Sequence, residues 1–154
     1  MSQGYLFDTD AIAQLGLPRP LRAYVEWLAR IPPERQFICT PVLAECFAGA
    51  YSTLAMDGSE RVMQRTERLA VEMSVISFGI PEARCFGNIR ATLRSKGLGL
   101  ADLDMQIASC AICNDLVMIT GNRQHFERME VFGLQCDWVL ADALAAGQRR
   151  AGQN

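Results

Sequence analysis

Three carboxylates stand where an α/β chain can turn them to chemistry. Asp8 closes the aromatic and apolar run Tyr5-Leu6-Phe7, Glu45 lies about a turn inside the segment opened by Thr40-Pro41, and Asp104 begins a run of small and apolar residues reaching Ile112. Singly, each acid has an ordinary reading as a helix cap or a solvated surface group. Together they point to a shared site, because Glu45 follows Val42, Leu43 and Ala44, and a buried carboxylate needs a hydrogen bond or a counter-charge. Clustered carboxylates repel and take up protons unless a cation offsets the repulsion. Mg2+ or Mn2+, hard ions that favour oxygen and retain water in their other positions, would do so.

The elements that must carry these acids alternate along the chain. Gly4 to Phe7, Gln36 to Cys39, Val75 to Phe78, Leu116 to Thr120 and Leu134 to Val139 read as short buried strands. Helical spacing covers Arg19 to Ile31, with Pro20 in the first turn and Pro32-Pro33 as the stop. Thr40 is placed to cap a helix with Pro41 at its first position, running from Val42 to about Leu54. Further helices are expected from Gly58 to Met73, from Pro81 to about Leu93, and through Ile112 after the Gly97-Leu98-Gly99 break. Strands separated by helices favour parallel pairing through right-handed crossovers, so the fold expected is a three-layer α/β/α domain with a mostly parallel sheet of about five strands. Sites in such sheets lie beyond the carboxyl ends of the strands, where Asp8 falls.

The 154 residues suit one domain, 1–140, followed by a small-residue, polar tail over 141–154 that is expected to be mobile at its end. A hydrophobic fraction of 50% against 21% charged residues excludes a disordered chain. No apolar run has membrane-spanning length and the N-terminus carries no signal pattern, so a cytoplasmic protein is expected. The net charge of −2 gives no general pull on a polyanion, and nucleic-acid chemistry must come from a metal or from grouped cations. The six cysteines read as small buried thiols. Cys110 and Cys113 form a C-x-x-C without a second pair, and His125, the one histidine, reads as structural.

Four stretches in order resemble the PIN domain family, and more narrowly its VapC toxins: Tyr5-Leu6-Phe7-Asp8-Thr9-Asp10, Thr40 to Gly49, Gly99 to Ser109, and Leu116 to Phe126. The resemblance implies a PIN-like, metal-dependent endoribonuclease that uses Mg2+ or Mn2+. Asp8, Glu45 and Asp104 would be its catalytic, metal-holding acids, with Glu45 orienting the water. Thr9, Asp102 and Asn122 would support them, although Asn122 stands where some members carry aspartate, and Asp102 and Asn122 also read as caps. Arg90, Arg94, Lys96 and Arg123 are the candidates for RNA phosphates, against an ordinary reading as surface charge. Ser109 reads as helix packing. The resemblance further implies a small cognate antitoxin, a homodimer and a toxin–antitoxin hetero-oligomer, with no membrane partner. Two rival readings remain open: a PIN-like nuclease of RNA processing or DNA repair without an antitoxin, and a non-catalytic interaction domain.

Overall fold

In the computed structural model, which describes residues 3–151, five strands pair in parallel: β1 (Tyr5–Phe7), β2 (Gln36–Cys39), β3 (Ser74–Ile76), β4 (Val117–Ile119) and β5 (Gln135–Asp137). Their order across the sheet is β3-β2-β1-β4-β5. The first strand of the chain is therefore the central one, with Leu6 beside Phe37 of β2 and Met118 of β4. Leu6, Phe7, Ile38, Met118 and Ile119 are buried, as expected of strands covered on both faces.

Among the described residues, eight α-helices complete the three layers: α1 (Thr9–Gln14), α2 (Arg22–Leu28), α3 (Thr40–Asp57), α4 (Arg61–Glu72), α5 (Ile80–Ser95), α6 (Asp102–Cys113), α7 (Arg123–Phe126) and α8 (Val139–Ala151). In α6, Ile107, Ala108, Ser109, Cys110 and Ala111 are fully buried, and α6 packs on both α5 and α3. Small side chains permit that close packing, and Ser109 turns its hydroxyl back to the Met105 carbonyl at 2.7 Å. Trp27 of α2 gathers Tyr5, Phe7 and Tyr24 at ring-centre distances of 5.4, 6.4 and 6.2 Å. The Tyr24 hydroxyl donates to the Ala11 carbonyl at 3.2 Å, fastening α1 to this aromatic cluster.

The sheet and its layers match the expected α/β/α fold, while several boundaries differ. Directly after β1 comes α1, a helix too short for periodicity to reveal. The helix expected from Arg19 to Ile31 contracts to α2, leaving Pro20 outside it. Thr40 does not cap α3 through its side chain. Cys39 occupies that position, and the Thr40 hydroxyl accepts the Phe78 N–H at 3.0 Å from the loop beyond β3. Residues 139–151, most of the stretch read as a tail, form α8, which packs on α2.

Candidate active site

Asp8 sits where β1 ends and α1 begins, so its carboxylate meets the free N–H groups of a helix start. Its backbone N–H donates to the Ile119 carbonyl at 3.0 Å, locking it beside the end of β4. One carboxylate oxygen accepts the Thr9 N–H and the other the Thr120 hydroxyl, both at 2.8 Å. Only 6% of the residue is exposed. Burial, then the neighbouring Asp10 charge, push its pKa up to about 7; the Thr120 and Thr9 hydrogen bonds oppose this, and Asp104 adds to the rise.

Asp10 adds an acid that the sequence reading did not assign to the site. Its Oδ2 accepts the Gly121 N–H at 2.8 Å, while Oδ1 is buried without a hydrogen-bond partner. Burial raises its pKa first of all, with Asp104 contributing. The close approach depends on glycine: a Cβ at position 121 would stand 2.8 Å from Asp10 Oδ2 and 2.6 Å from a Leu144 methyl. Thr120 was likewise unassigned, yet its hydroxyl donates to Asp8 and accepts the Asn122 N–H at 3.0 Å.

Glu45 lies on the exposed side of α3, and its carboxylate accepts the Thr9 hydroxyl, tying the second acid to the residue after the first. Asp104, in the first turn of α6, is more enclosed, and its Oδ2 stands 2.7 Å from His125 Nδ1. The Asn122 amide nitrogen reaches the same ring nitrogen at 2.9 Å. Asp8, Thr9, Glu45, Thr120 and Asn122 are thus joined through short contacts, and Asp104 joins them through His125.

The remaining candidates are elsewhere engaged. Asp102 is exposed and stands 3.2 Å from Arg90 Nε. Arg90, which also lies over the Phe86 ring, shares with Arg94 and Asp102 a surface cleft floored by Leu93 and Met105. Lys96 is exposed at the end of α5. Arg123 pairs with Asp142 at 2.8 Å and lies over Trp138 at 5.0 Å. The C-x-x-C does not close on itself: the Cys110 thiol lies against Cys39 and the Cys113 thiol against Cys85, all as free thiols.

Whether these residues suit a divalent cation can be judged from their chemistry. Carboxylate and hydroxyl oxygens are hard donors, Asp8 lies buried with Asp10 and Asp104 as like-charged neighbours, and Asp10 Oδ1 is a buried acceptor without a hydrogen-bond partner. Among the described residues, no group of three or more His, Cys, Asp or Glu is arranged to hold a metal ion. Mg2+ does not require such a cage, since it commonly binds through one or two carboxylates and keeps several waters. The donor set therefore fits a hydrated Mg2+ or Mn2+.

The sequence model described as the PIN domain matches residues 5–131. Ribonuclease VapC2 of Haemophilus influenzae is 27% identical over 137 residues, covering 88% of this chain and 98% of that protein. The tRNA(fMet)-specific endonuclease VapC of Salmonella typhimurium is 32% identical over 104 residues, covering 68% of this chain and 76% of the relative. Among solved structures, DNA-bound VapBC from Salmonella typhimurium superposes with a TM-score of 0.74 at 26% identity, over 88% of this chain and 98% of the other.

Proposed function

The chain belongs to the PIN domain family and is homologous to the VapC ribonucleases, and from that premise we propose that it is a metal-dependent endoribonuclease, the toxin of a type II toxin–antitoxin pair. The observation that carries this reading is Asp8: a carboxylate at the carboxyl end of the central strand whose pKa is raised first by its burial, then by Asp10, and least by Asp104. Acids perturbed in this way cluster at functional sites.

Asp8 and Asp104 would hold the cation, with Glu45 orienting the attacking water through the carboxylate oxygen that Thr9 leaves free. Mg2+ or Mn2+ bound there would supply Lewis-acid stabilisation of phosphate charge and a lowered pKa for water. Thr9 and Thr120 fix the two acids, and Asn122 presents an amide that can donate to phosphate without adding charge. Arg90, Arg94 and Lys96 would steer the RNA backbone, and Asp102 holds Arg90 in place. Arg123 must leave Asp142 before it can contact phosphate.

The partner is a small antitoxin, seated in the apolar groove that Ile12, Ala13, Leu17, Cys46, Val62 and Leu69 form next to Thr9 and Glu45. A helix or extended segment laid there can project a basic side chain into the acidic mouth. The toxin would act as a homodimer and rest as a toxin–antitoxin hetero-oligomer. No helix of the described residues is long and apolar enough to cross a membrane. An RNA-cutting activity would be exercised in the cytoplasm.

The test compares the purified protein with Asp8→Asn on defined RNA pools in Mg2+, Mn2+ or EDTA. Cleavage that needs the metal and is lost in the variant supports the reading. Cleavage undiminished by either EDTA or the substitution overturns it.

A further inference from the structure

His125 comes from α7 and reaches a carboxylate on α6. Its Nδ1 stands 2.7 Å from Asp104 Oδ2, and the Asp104 side chain is only 17% exposed. An ionised carboxylate offers no proton, so a contact of that length requires the hydrogen on Nδ1. The same nitrogen cannot then accept from the Asn122 amide, 2.9 Å away; turned over, that amide sets its oxygen against the ring and its NH2 group outward. The ring is also held from its own turn. His125 and Phe126 both donate backbone N–H groups to the Asn122 carbonyl, and Phe126 is fully buried.

These contacts give one Asp104 oxygen a fixed donor and leave the other free. Carboxylates that hold metals are commonly oriented in this way by a hydrogen bond from an outer residue. We propose that His125 is a positioning residue, which through Nδ1–H holds Asp104 with its second oxygen turned to a divalent cation. The proposal rests on the metal-site reading above. It adds a role for the histidine that composition and spacing leave as structural, and it makes α7 part of the site. Asn122, where a fourth carboxylate would add charge, sets an uncharged amide beside the same ring nitrogen.

The experiment titrates Mn2+ directly into the full chain by calorimetry, with folding followed by circular dichroism. Wild type, Asp104→Asn, His125→Leu and His125→Asn are compared, the last because its amide nitrogen falls near the place of Nδ1. Loss of the donor in His125→Leu should weaken Mn2+ binding about 10- to 100-fold. His125→Asn should recover most of it, with the circular dichroism of both variants unchanged. If His125→Leu does not fold, His125→Phe, a ring without a donor, replaces it. Wild-type affinity in the donor-free variant, or equal loss in His125→Asn, overturns the role of His125 while leaving the site reading intact. Absence of Mn2+ binding in the wild type, or its full retention in Asp104→Asn, overturns the site reading and the proposal together.

Discussion

Two carboxylates of this molecule are almost equally hidden from solvent and answer in opposite ways. Glu82, in the first turn of α5, is 7% exposed, and Asp8 is 6% exposed. Both feel desolvation most strongly, as buried acids must. Glu82 is covered at shallow depth, and its carboxylate accepts the Gly79 N–H at 3.0 Å and the Asn114 amide at 3.1 Å. These bonds, with its own backbone N–H, carry its pKa below the ordinary glutamate value. Asp8 also accepts two hydrogen bonds, yet it lies deeper and has Asp10 and Asp104 as neighbours. Hydrogen bonds can satisfy a buried acid, but they do not cancel adjacent like charge. The α5 acid closes a helix start onto α6; the β1 acid remains beside two others of like charge.

The largest test of this contrast is functional. Asp8→Asn should reduce RNA cleavage on the order of 1,000-fold, the scale for removing one preorganised charge-stabilising group. Glu82→Gln in the same assay should stay within about twofold, because its hydrogen bonds tie helices and touch no substrate. Equal losses in the two would erase the distinction.

Next comes the response of metal-free protein to pH. Asp8 binds its proton more tightly folded, near pH 7, than at the unfolded value of 3.8. The folded state therefore loses stability as pH rises from about 4 to about 7, by an amount on the order of 4 kcal/mol at about 1.36 kcal/mol per pKa unit. In denaturant unfolding with EDTA, Asp8→Asn should lack that decline and exceed the wild type at pH 8, and parallel curves would contradict the raised Asp8 pKa.

A smaller effect is expected at Thr120→Val, which removes a hydroxyl bond to Asp8 worth about 1.5–3 kcal/mol when the carboxylate is charged. NMR titration of metal-free protein should then show the Asp8 pKa moving further up, and a fall would mean that Thr120 does not hold the ionised form. The smallest is Glu82→Ala, with about 0.5–2 kcal/mol lost from the helix start. Here the depressed pKa reverses the sign: the contribution is full above about pH 4.5 and fades as pH falls through the folded pKa. Thermal melts of the variant and wild type should therefore converge in acid.

Much of this was legible in the sequence because it depends on local signals. The strands, the parallel layering and the position of Asp8 at a strand exit follow from apolar runs set between helices. What escaped depends on distant partners. Thr40 resembles a cap until Phe78, 38 residues on, claims its hydroxyl, and His125 resembles a structural histidine until Asp104, 21 residues back, is brought to it. Asp10 left a trace, an acid two positions after Asp8. Its weight in the site depends on the close passage of Gly121, which spacing along the chain does not reveal.

The strand order also sets a schedule for synthesis. Because β1 is made first and lies at the centre, one of its edges must wait for β4, most of the chain later. A nascent chain that ends before Val117 can pair β1 with β2 but has no Thr120 to hold Asp8 and no Gly121 to receive Asp10. Ribosomes release protein from the N-terminus onward, so a partial product that ends between Asp104 and Val117 would carry all three proposed acids with no mouth to gather them. The proposed site would thereby come together only once β4 and the turn after it have been made.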